Sequence, residues 1–592
     1  MLITMRILFL THSFNSLTQQ LFLALRGCGH QVSIELDIAD SVSEEAVALF
    51  KPDLIIAPFL KRAIPISIWQ HHVCLVVHPG IVGDRGPSAL DWAILNGESV
   101  WGVTVLQANA EMDAGDIWAH ASFSMRVAKK SSLYRDEVTA AAVRAVLEAV
   151  QKFAIGAQPM PLAEAVTARG ILRPLLQQKE RSIDWQRDSS AVVLSKINSA
   201  DSFPGVLDTL FDSPCYLYDA HLATAAILDA AAAAAAGVPG DIIARRDQAV
   251  LRRTIDGGVW IGHVRPMRSA DDAEKPFKLP VADWFAAQVA QLPELPTALV
   301  RPAEEWGELR YWEEGPVGFL SFDFYNGAMS TGQCQRLQAA IQHVKQRPTR
   351  VLVLLGGEDF FSNGIHLNRI EASAHRPSES PADESWNNIN AMNDLVLEIL
   401  SMTNHFAVSA LRGNAGAGGA FLALAADIVW AREAVLLNPH YKNMGNLYGS
   451  EYWTYLLPQR VEAKVARGLM QNRHPLAAPE AVKIGLIDAA FGYEADAFFS
   501  EVRKRAMALA QSDLFEEQLA AKRCKRAEDE ATKPLHAYRE EELSKMHRNF
   551  YGFDPSYHVA RYHFVHKMPH AWTPRHLAVH RNNSLKESDT PI

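Results

Sequence analysis

The sequence holds no Cys-x-x-Cys pair: Cys28, Cys74, Cys215, Cys334 and Cys524 are five scattered residues among 592. Such spacing argues against a disulfide framework and a cysteine-based metal cluster, and points to a reducing, cytoplasmic setting. An excess of positive charge is also missing. Lys and Arg number 58 against 67 Asp and Glu, a formal net charge of −9, which leaves no basic footprint for nucleic acid. Long apolar runs are absent too. The alanine run ending at Ala236 is too short and too weakly apolar to span a bilayer. Met1 to Leu10 lacks the charged, apolar and cleavage regions of a signal peptide. The expectation is a cytoplasmic chain of several domains, with neither nucleic acid nor membrane as partner.

What is present first is an alternation of strands and helices. Arg6–Thr11 predicts a strand, followed by a helix through Arg26, a Gly-Cys-Gly turn and a strand over Gln31–Leu36. Asp53–Pro58 and Val73–Val77 are further buried strands, the second ending at His78. Pro79-Gly80 breaks it, a glycine-rich loop runs to Gly86, and a helix starts at Ser88. Trp101–Leu106 is β-rich and leads to Asp113-Ala114-Gly115-Asp116, and a helix from Ser131 to about Ala154 closes the unit. The fold class is α/β, with a doubly wound parallel sheet. A His at a strand end and an Asp at a turn converge at one sheet edge in such folds.

His78-Pro79, Arg85-Gly86, Ala93-Ile94, Gly97-Glu98, Gly102-Val103-Thr104 and Asp113-Ala114-Gly115-Asp116 occur in one stretch of about forty residues. This stretch resembles the 10-formyltetrahydrofolate-dependent formyltransferase and hydrolase family. The resemblance implies catalysis by His78 and Asp113 and a folate loop over Gly80, Ile81, Val82 and Gly83, with Arg85 beside it. Formyl transfer from a folate nitrogen passes through a tetrahedral oxyanion, and a proton must move to the leaving amine. An imidazole titrates in the range for that task, and a carboxylate beside it favours its charged form. One departure matters: the family's catalytic Asn falls at Val76, which has no polar group.

The pattern changes near Pro159. Arg181–Trp185 and Ser202-Phe203-Pro204-Gly205 resemble the smaller C-terminal domain of methionyl-tRNA formyltransferase-like proteins, and short β runs at Gly240–Ile243 and Gly258–Ile261 suit a small β-barrel. The alanine-rich stretch from 223 to 236 reads as a helical or flexible insert. The expected division is a formyltransferase-like domain over 1–158, a small domain over 159–292, a linker over 293–314, a third domain over 315–510 and a helical extension with tail over 511–592. Asn582–Ile592 is expected to be disordered.

In the third domain Pro316–Phe322 and Arg350–Leu355 are strands, and Gly356 to Gly364 follows the second with a Phe-Ser-Asn-Gly end. Gly413-Asn414-Ala415-Gly416-Ala417-Gly418-Gly419 and Gly485-Leu486-Ile487-Asp488 come further on. These boxes resemble the crotonase, or enoyl-CoA hydratase/isomerase, superfamily, with Ala417 where that family has Gly. The resemblance implies an α/β spiral fold and a coenzyme A thioester. Its acyl oxygen would lie between the backbone N–H groups of Ile365 and Gly418, with Gly364 and Gly419 giving close backbone approach. The two acid/base glutamates of hydratases fall at Phe421 and His440, and Phe421 can move no proton. Water addition is therefore not expected. His440, Tyr448 and Glu451 are the polar candidates, each with a structural alternative: Tyr448 as an amphipathic packing group, Glu451 as a helix cap after Gly449-Ser450.

From Ser512 a charged helical segment reads as solvated or packed between domains. His558, His563 and His566 could suggest a metal site, but without carboxylates or cysteines at ligand spacing no metal is assigned. A formyl-folate part joined to a CoA-thioester part resembles the HoxX-type family of [NiFe]-hydrogenase maturation proteins over essentially the whole chain. That resemblance implies synthesis of the active-site carbon monoxide: formyl transfer from 10-formyltetrahydrofolate to coenzyme A, then decarbonylation of formyl-CoA, with other maturation proteins as partners. Two other readings stay open. One is a formyl-folate hydrolase, or a transferase to another acceptor, with a degenerate crotonase part. The other is a non-enzymatic module that binds CoA and folate.

Overall fold

The structure is a computed structural model that describes residues 4–165, 168–234, 237–269 and 274–582. The chain packs into two compact units: Met1–Ala220 with Pro569–Ile592, and His221–Met568.

The first unit is built on β1 (Arg6–Thr11), β2 (Gln31–Leu36), β3 (Leu54–Ala57), β4 (Cys74–His78), β5 (Val100–Gln107) and β6 (Ile117–Ser124), in the order β2-β1-β3-β4-β5-β6. The apolar runs in β1 and β3 are buried on both faces, as a sheet covered on both sides requires. Alternate residues divide between two cores. Ile7 and Phe9 pack with Leu21, Leu25 and Val146 of the helices Ser16–Gly27 and Thr139–Ala154. Leu8 and Leu10 pack on the other face with Ala46, Val47 and Phe50 of the helix Asp40–Phe50. β1 to β4 are parallel, as expected; β5 runs antiparallel to β4, and β6 to β5. The second half of β6 leaves every other side chain exposed, the pattern of a sheet border. The closing helix starts at Lys130 and passes through one π-turn at Tyr134–Val138, where Thr139 Oγ1 donates to the Tyr134 carbonyl at 2.7 Å.

β2 is the border strand on the other side, and the last part of the chain covers it. Ile34 N–H donates to the Leu577 carbonyl at 3.0 Å and Leu36 N–H to Thr573 Oγ1 at 2.9 Å. Glu35, with a fully buried side chain, accepts from His580 Nε2 and Arg581 Nε at 2.9 Å each and from Thr573, while Ser33 Oγ meets His580 Nδ1 at 2.7 Å. The expected extension over 511–592 therefore serves two units. Of the tail expected to be disordered only Asn582 is described, and residues 583–592 lie outside the described residues.

Antiparallel β structure follows where short β runs were expected: a hairpin of Val206–Leu210 and Ser213–Leu222 turning at Phe211-Asp212, and, in the second unit, the meander Ile242–Arg246, Ala249–Arg253 and Gly258–Pro266. The alanine-rich insert is a helix over Ala225–Ala234, with residues 235 and 236 outside the described residues. The stretch expected as a linker is ordered. Arg301 Nη1 donates to the Ala298 carbonyl at 3.0 Å and Nη2 to that of Gly307 at 2.8 Å. Leu309–Glu314, expected as linker, is a strand; it pairs with Val317–Phe322, burying Tyr311 while charged Arg310 and Glu314 flank it.

The second unit carries a six-stranded sheet of Leu309–Glu314, Val317–Phe322, Val351–Leu355, Phe406–Leu411, Ile428–Ala431 and Ala489–Ala490, in that order and parallel after the first pair. A smaller sheet collects the short strands that follow the long ones, Phe360–Ser362, Asn414–Gly416 and Leu436–Asn438, and ends in Leu476–Ala477. Each turn of this spiral goes from a long strand to a short one, and glycine makes the bend possible. A Cβ on Gly413 would lie 2.3 Å from the Asp359 carbonyl carbon, and one on Gly356 would lie 2.4 Å from Phe361 Cα.

One outcome tests the closure of β2. Glu35→Ala leaves His580 and Arg581 without their buried acceptor and should destabilise the first unit by about 3–5 kcal/mol, read as a lower unfolding midpoint. Those hydrogen bonds hold the Glu35 carboxyl below its ordinary 4.5 against the opposing pull of burial. The stabilisation is therefore full above that value and lost as pH falls through the lower folded-state value. An alanine variant as acid-sensitive as the parent would contradict this.

Candidate active sites

The parallel strands bring His78, the last residue of β4, to the sheet edge with its side chain only 4 % exposed. Its ring lies between two carboxylates: Nε2 is 3.1 Å from Asp84 Oδ1, and Nδ1 is 3.7 Å from Asp113 Oδ2. Asp113 sits at a positive φ of 56° and accepts the Gly86 N–H at 3.2 Å. Asp84 is fully buried, and its other oxygen receives Arg173 Nε at 3.3 Å. Gly80 covers the ring so closely that a Cβ there would lie 2.4 Å from His78 Nε2 and 2.7 Å from Asp84 Oδ1.

His78, Asp113 and Gly80 converge as the sequence suggested. The other loop residues do not turn toward the ring. Val82 is buried and Ile81 half-buried in apolar packing, and Arg85 Nη1 pairs with Glu111 at 2.5 Å. The loop is fastened by a passing segment: Arg169 and Gly170 donate backbone N–H groups to the Val82 carbonyl at 3.1 and 3.0 Å, and Arg173 N–H donates to that of Arg85 at 2.9 Å. Val76 packs against the apolar face that holds Cys74 and Ala57, so no polar side chain stands at the place of the family Asn. Asp84 was missed because an acid between Gly83 and Gly86 reads as an ordinary turn residue.

The second site forms where the two glycine boxes meet. A Cβ on Gly364 would lie 3.2 Å from Gly418 N, and one on Gly419 would lie 2.1 Å from the Ser362 carbonyl. Gly364–Ile365 pairs with Ala328–Met329, and its Gly364 end lies against the start of the helix Gly418–Leu424. Against Gly418 lies Glu451: a Cβ there would be 2.3 Å from Glu451 Oε1. Glu451 is 1 % exposed at a φ of 59°. Asn393 Oδ1 accepts its backbone N–H at 2.8 Å, and its Oε2 receives Tyr441 Oη at 2.6 Å. Burial pushes its carboxyl up to about 8, with the Tyr441 bond pulling down and nearby Glu542 pushing up.

The structure brings Gly364, Gly418, Gly419 and Glu451 together and adds Tyr441, Asn393 and Ser450. Glu451 does not cap the following helix. That part is taken by Glu542, which accepts the backbone N–H groups of Tyr452 and Thr454 at 2.9 and 2.8 Å. Its side chain is buried, although it comes from a charge-rich segment that reads as solvated or packed between domains. Tyr448 is half-buried, its ring 5.4 Å from Trp453 and its N–H on Asn549, so the tyrosine in hydrogen-bond contact with Glu451 is Tyr441. His440 is buried beside it in sequence. Phe421, at a hydratase glutamate position, stacks on Tyr441 at 5.4 Å and 10°. Its ring thus braces the tyrosine that holds the acid. Ala417 takes a φ of 47°, the left-handed region that a family Gly enters freely. His558 and His566 are engaged within the second unit, with His558 Nε2 2.8 Å from the Phe550 carbonyl and His566 Nδ1 3.1 Å from that of Lys275.

Residues 30–150 match the formyl transferase family, 175–276 its C-terminal domain, and 325–574 the enoyl-CoA hydratase/isomerase family. A methionyl-tRNA formyltransferase of Geobacter metallireducens is 24% identical over 33% of this chain and 59% of its own. The class is therefore a formyltransferase fold fused to a crotonase fold. A hydrogenase maturation factor HoxX of Bradyrhizobium diazoefficiens is 54% identical over 98% of this chain and 97% of its own. The crystal structure of HypX from Aquifex aeolicus in complex with tetrahydrofolic acid superposes with a TM-score of 0.91 at 45% identity, covering 98% of this chain and 99% of that one. The chain belongs to the HoxX/HypX family of hydrogenase maturation factors. Among the described residues no helix is long and apolar enough to cross a membrane.

Two outcomes follow from the second site. Ala417→Gly should raise stability by about 1 kcal/mol, because relief of the left-handed strain exceeds the added chain entropy; an unchanged or lower midpoint would contradict it. Glu451 binds its proton more tightly in the folded chain than its ordinary 4.5, so stability falls as pH rises from there to about 8. Glu451→Gln should flatten that decline in urea unfolding. Equal slopes would show that Glu451 is not held neutral.

Proposed function

We propose that the chain makes the carbon monoxide ligand of the [NiFe]-hydrogenase active site. It moves the formyl group of 10-formyltetrahydrofolate to coenzyme A and then decarbonylates formyl-CoA. The observation that carries this is Glu451: a desolvated carboxyl against Gly418, in a crotonase fold whose hydratase acid position holds Phe421. Its place in one chain with His78, between two carboxylates on a formyltransferase sheet, supplies the other half. The tetrahydrofolate complex of the Aquifex relative supports folate as the donor. The free thiols of all five cysteines fit a reducing cytoplasm.

In the first half the CoA sulfur bonds to the formyl carbon as the bond from that carbon to the folate nitrogen breaks. The thiol proton ends on that nitrogen, with His78 carrying it and Asp113 steadying the charged ring. In the second half the thioester oxygen lies between the N–H groups of Ile365 and Gly418. Glu451 takes the formyl hydrogen as a proton, the C–S pair leaves on sulfur, and the carbon keeps the former C–H pair as CO. The proton returns to sulfur and regenerates the thiol. A base near 8 is well matched to this work at cellular pH. Tyr441 sets the carboxyl's direction while Tyr448 packs on Trp453, and other maturation proteins receive the product.

The test is the fate of a ¹³C formyl carbon supplied as 10-formyltetrahydrofolate with CoA. Wild type should release it as CO; release as formate alone would favour the hydrolase reading, and no turnover the binding module. Glu451→Gln should lower CO release by about 10²–10⁴-fold and leave formyl-CoA or its formate, with Tyr441→Phe slower than Tyr448→Phe. His78→Ala should fail on formyl-folate yet make CO from synthetic formyl-CoA. Failure of His78→Ala on formyl-CoA, or full activity of Glu451→Gln, would overturn the assignment.

A further inference from the structure

The environment of His78 holds more than the mechanism above uses. The family's catalytic Asn would occupy the place of Val76 in β4, two residues before His78 and on the same face of the strand, and Val76 offers only packing. Asp84 comes at the ring from the loop instead. Its Oδ1 is 3.1 Å from Nε2, its side chain is fully buried, and its Oδ2 receives Arg173 at 3.3 Å. This is a built arrangement. Gly80 leaves no room for a Cβ over the Asp84–His78 contact. A Cβ on Gly170, in the segment that brings Arg173, would lie 1.7 Å from Asp84 N. The contact to Asp113 is looser: Nδ1 stands 3.7 Å from Oδ2, and that oxygen is already engaged by Gly86 N–H.

We propose that Asp84, held by Arg173, is a positioning residue that fixes His78 as its Nε2–H tautomer and leaves Nδ1, on the Asp113 side, as the nitrogen that moves the proton. A carboxylate tied to a guanidinium accepts hydrogen bonds only, so the nitrogen facing it must carry hydrogen. In the neutral ring the other nitrogen then holds a lone pair. It takes the thiol proton as the C–S bond forms, the ring becomes charged between two carboxylates, and the proton passes to the folate nitrogen as its bond to the formyl carbon breaks. Asp84 does not touch the reacting atoms. It stabilises the charged ring and fixes its direction, which Val76 cannot do.

The inference rests on His78 acting in formyl transfer, and the test separates the two. Asp84→Asn keeps size but lets an amide N–H face Nε2, which then becomes the acceptor and moves the hydrogen to Nδ1. In full-length protein with ¹⁵N-labelled histidine, the His78 ring signals should switch from the Nε2–H to the Nδ1–H pattern. Loss of formyl from 10-formyltetrahydrofolate should fall by about 10²–10⁴-fold and its pH profile should shift, while tetrahydrofolate binding holds and the melting midpoint falls only as far as the loss of the Arg173 ion pair requires. Arg173→Gln, which loosens Asp84 without removing it, should give a smaller loss with mixed tautomer signals. An unchanged tautomer or wild-type rate in Asp84→Asn, with His78→Ala inactive, would overturn the role of Asp84 alone. If Asp84→Asn does not fold, an unchanged tautomer and rate in Arg173→Gln would overturn it instead. Full activity in His78→Ala would overturn the formyl-transfer reading itself.

Discussion

Burying a carboxyl without a cation beside it is costly, and the second unit is arranged around that cost at Glu451. The group is tolerated because it stays largely protonated and because Tyr441, Ser450 and Asn393 meet the polar atoms around it. The requirement spreads outward. Gly418 has to be glycine because the carboxyl occupies the space of its Cβ, and Phe421 has to be flat because Tyr441 stacks on it. Glu542, from a helix far along the chain, then serves the backbone on the other side of the same turn. In this crotonase scaffold the buried acid beside the second glycine box thus comes from a different segment than the one that carries Phe421.

The two sites solve opposite electrostatic problems. At the first, an imidazole has a carboxylate facing each ring nitrogen, which gives a proton on the ring an acceptor on either side. At the second, an acid is deprived of water and of cations, which favours loss of charge. Each arrangement suits a group that holds a proton for part of a reaction and gives it up later. Both are fixed by glycines that let the backbone lie directly on the buried side chain, Gly80 on His78 and Gly418 on Glu451.

Much of this could be read from the chain because the carrying residues are local. His78 ends an apolar run, Asp113 lies at an Asp-x-Gly-Asp turn, and the glycine boxes are short contiguous patterns; each is visible without knowing what packs on it. What escaped reading depends on partners distant in sequence. Asp84 matters because Arg173 and Gly80 surround it, Tyr441 because its ring meets Phe421 and its hydroxyl Glu451. Glu542 sits in a charge-rich helix whose exposed face sets the pattern and hides one inward acid. Leu309–Glu314 read as linker because an antiparallel border strand with charged residues lacks the apolar run of its parallel neighbours. Tyr448 drew attention through its position, although its ring packs on Trp453.

The closure of β2 by residues near 577 has a consequence for how the chain is made. The first unit is not complete when its own sheet has been synthesised, because one border strand keeps open backbone groups until Thr573 and Leu577 emerge, many seconds later at ordinary elongation rates of about 5–20 residues per second. An unpaired border is where chains join one another wrongly. The nascent protein therefore carries an adhesive edge through most of its synthesis, and a ribosome that stops early releases a chain with that edge still open.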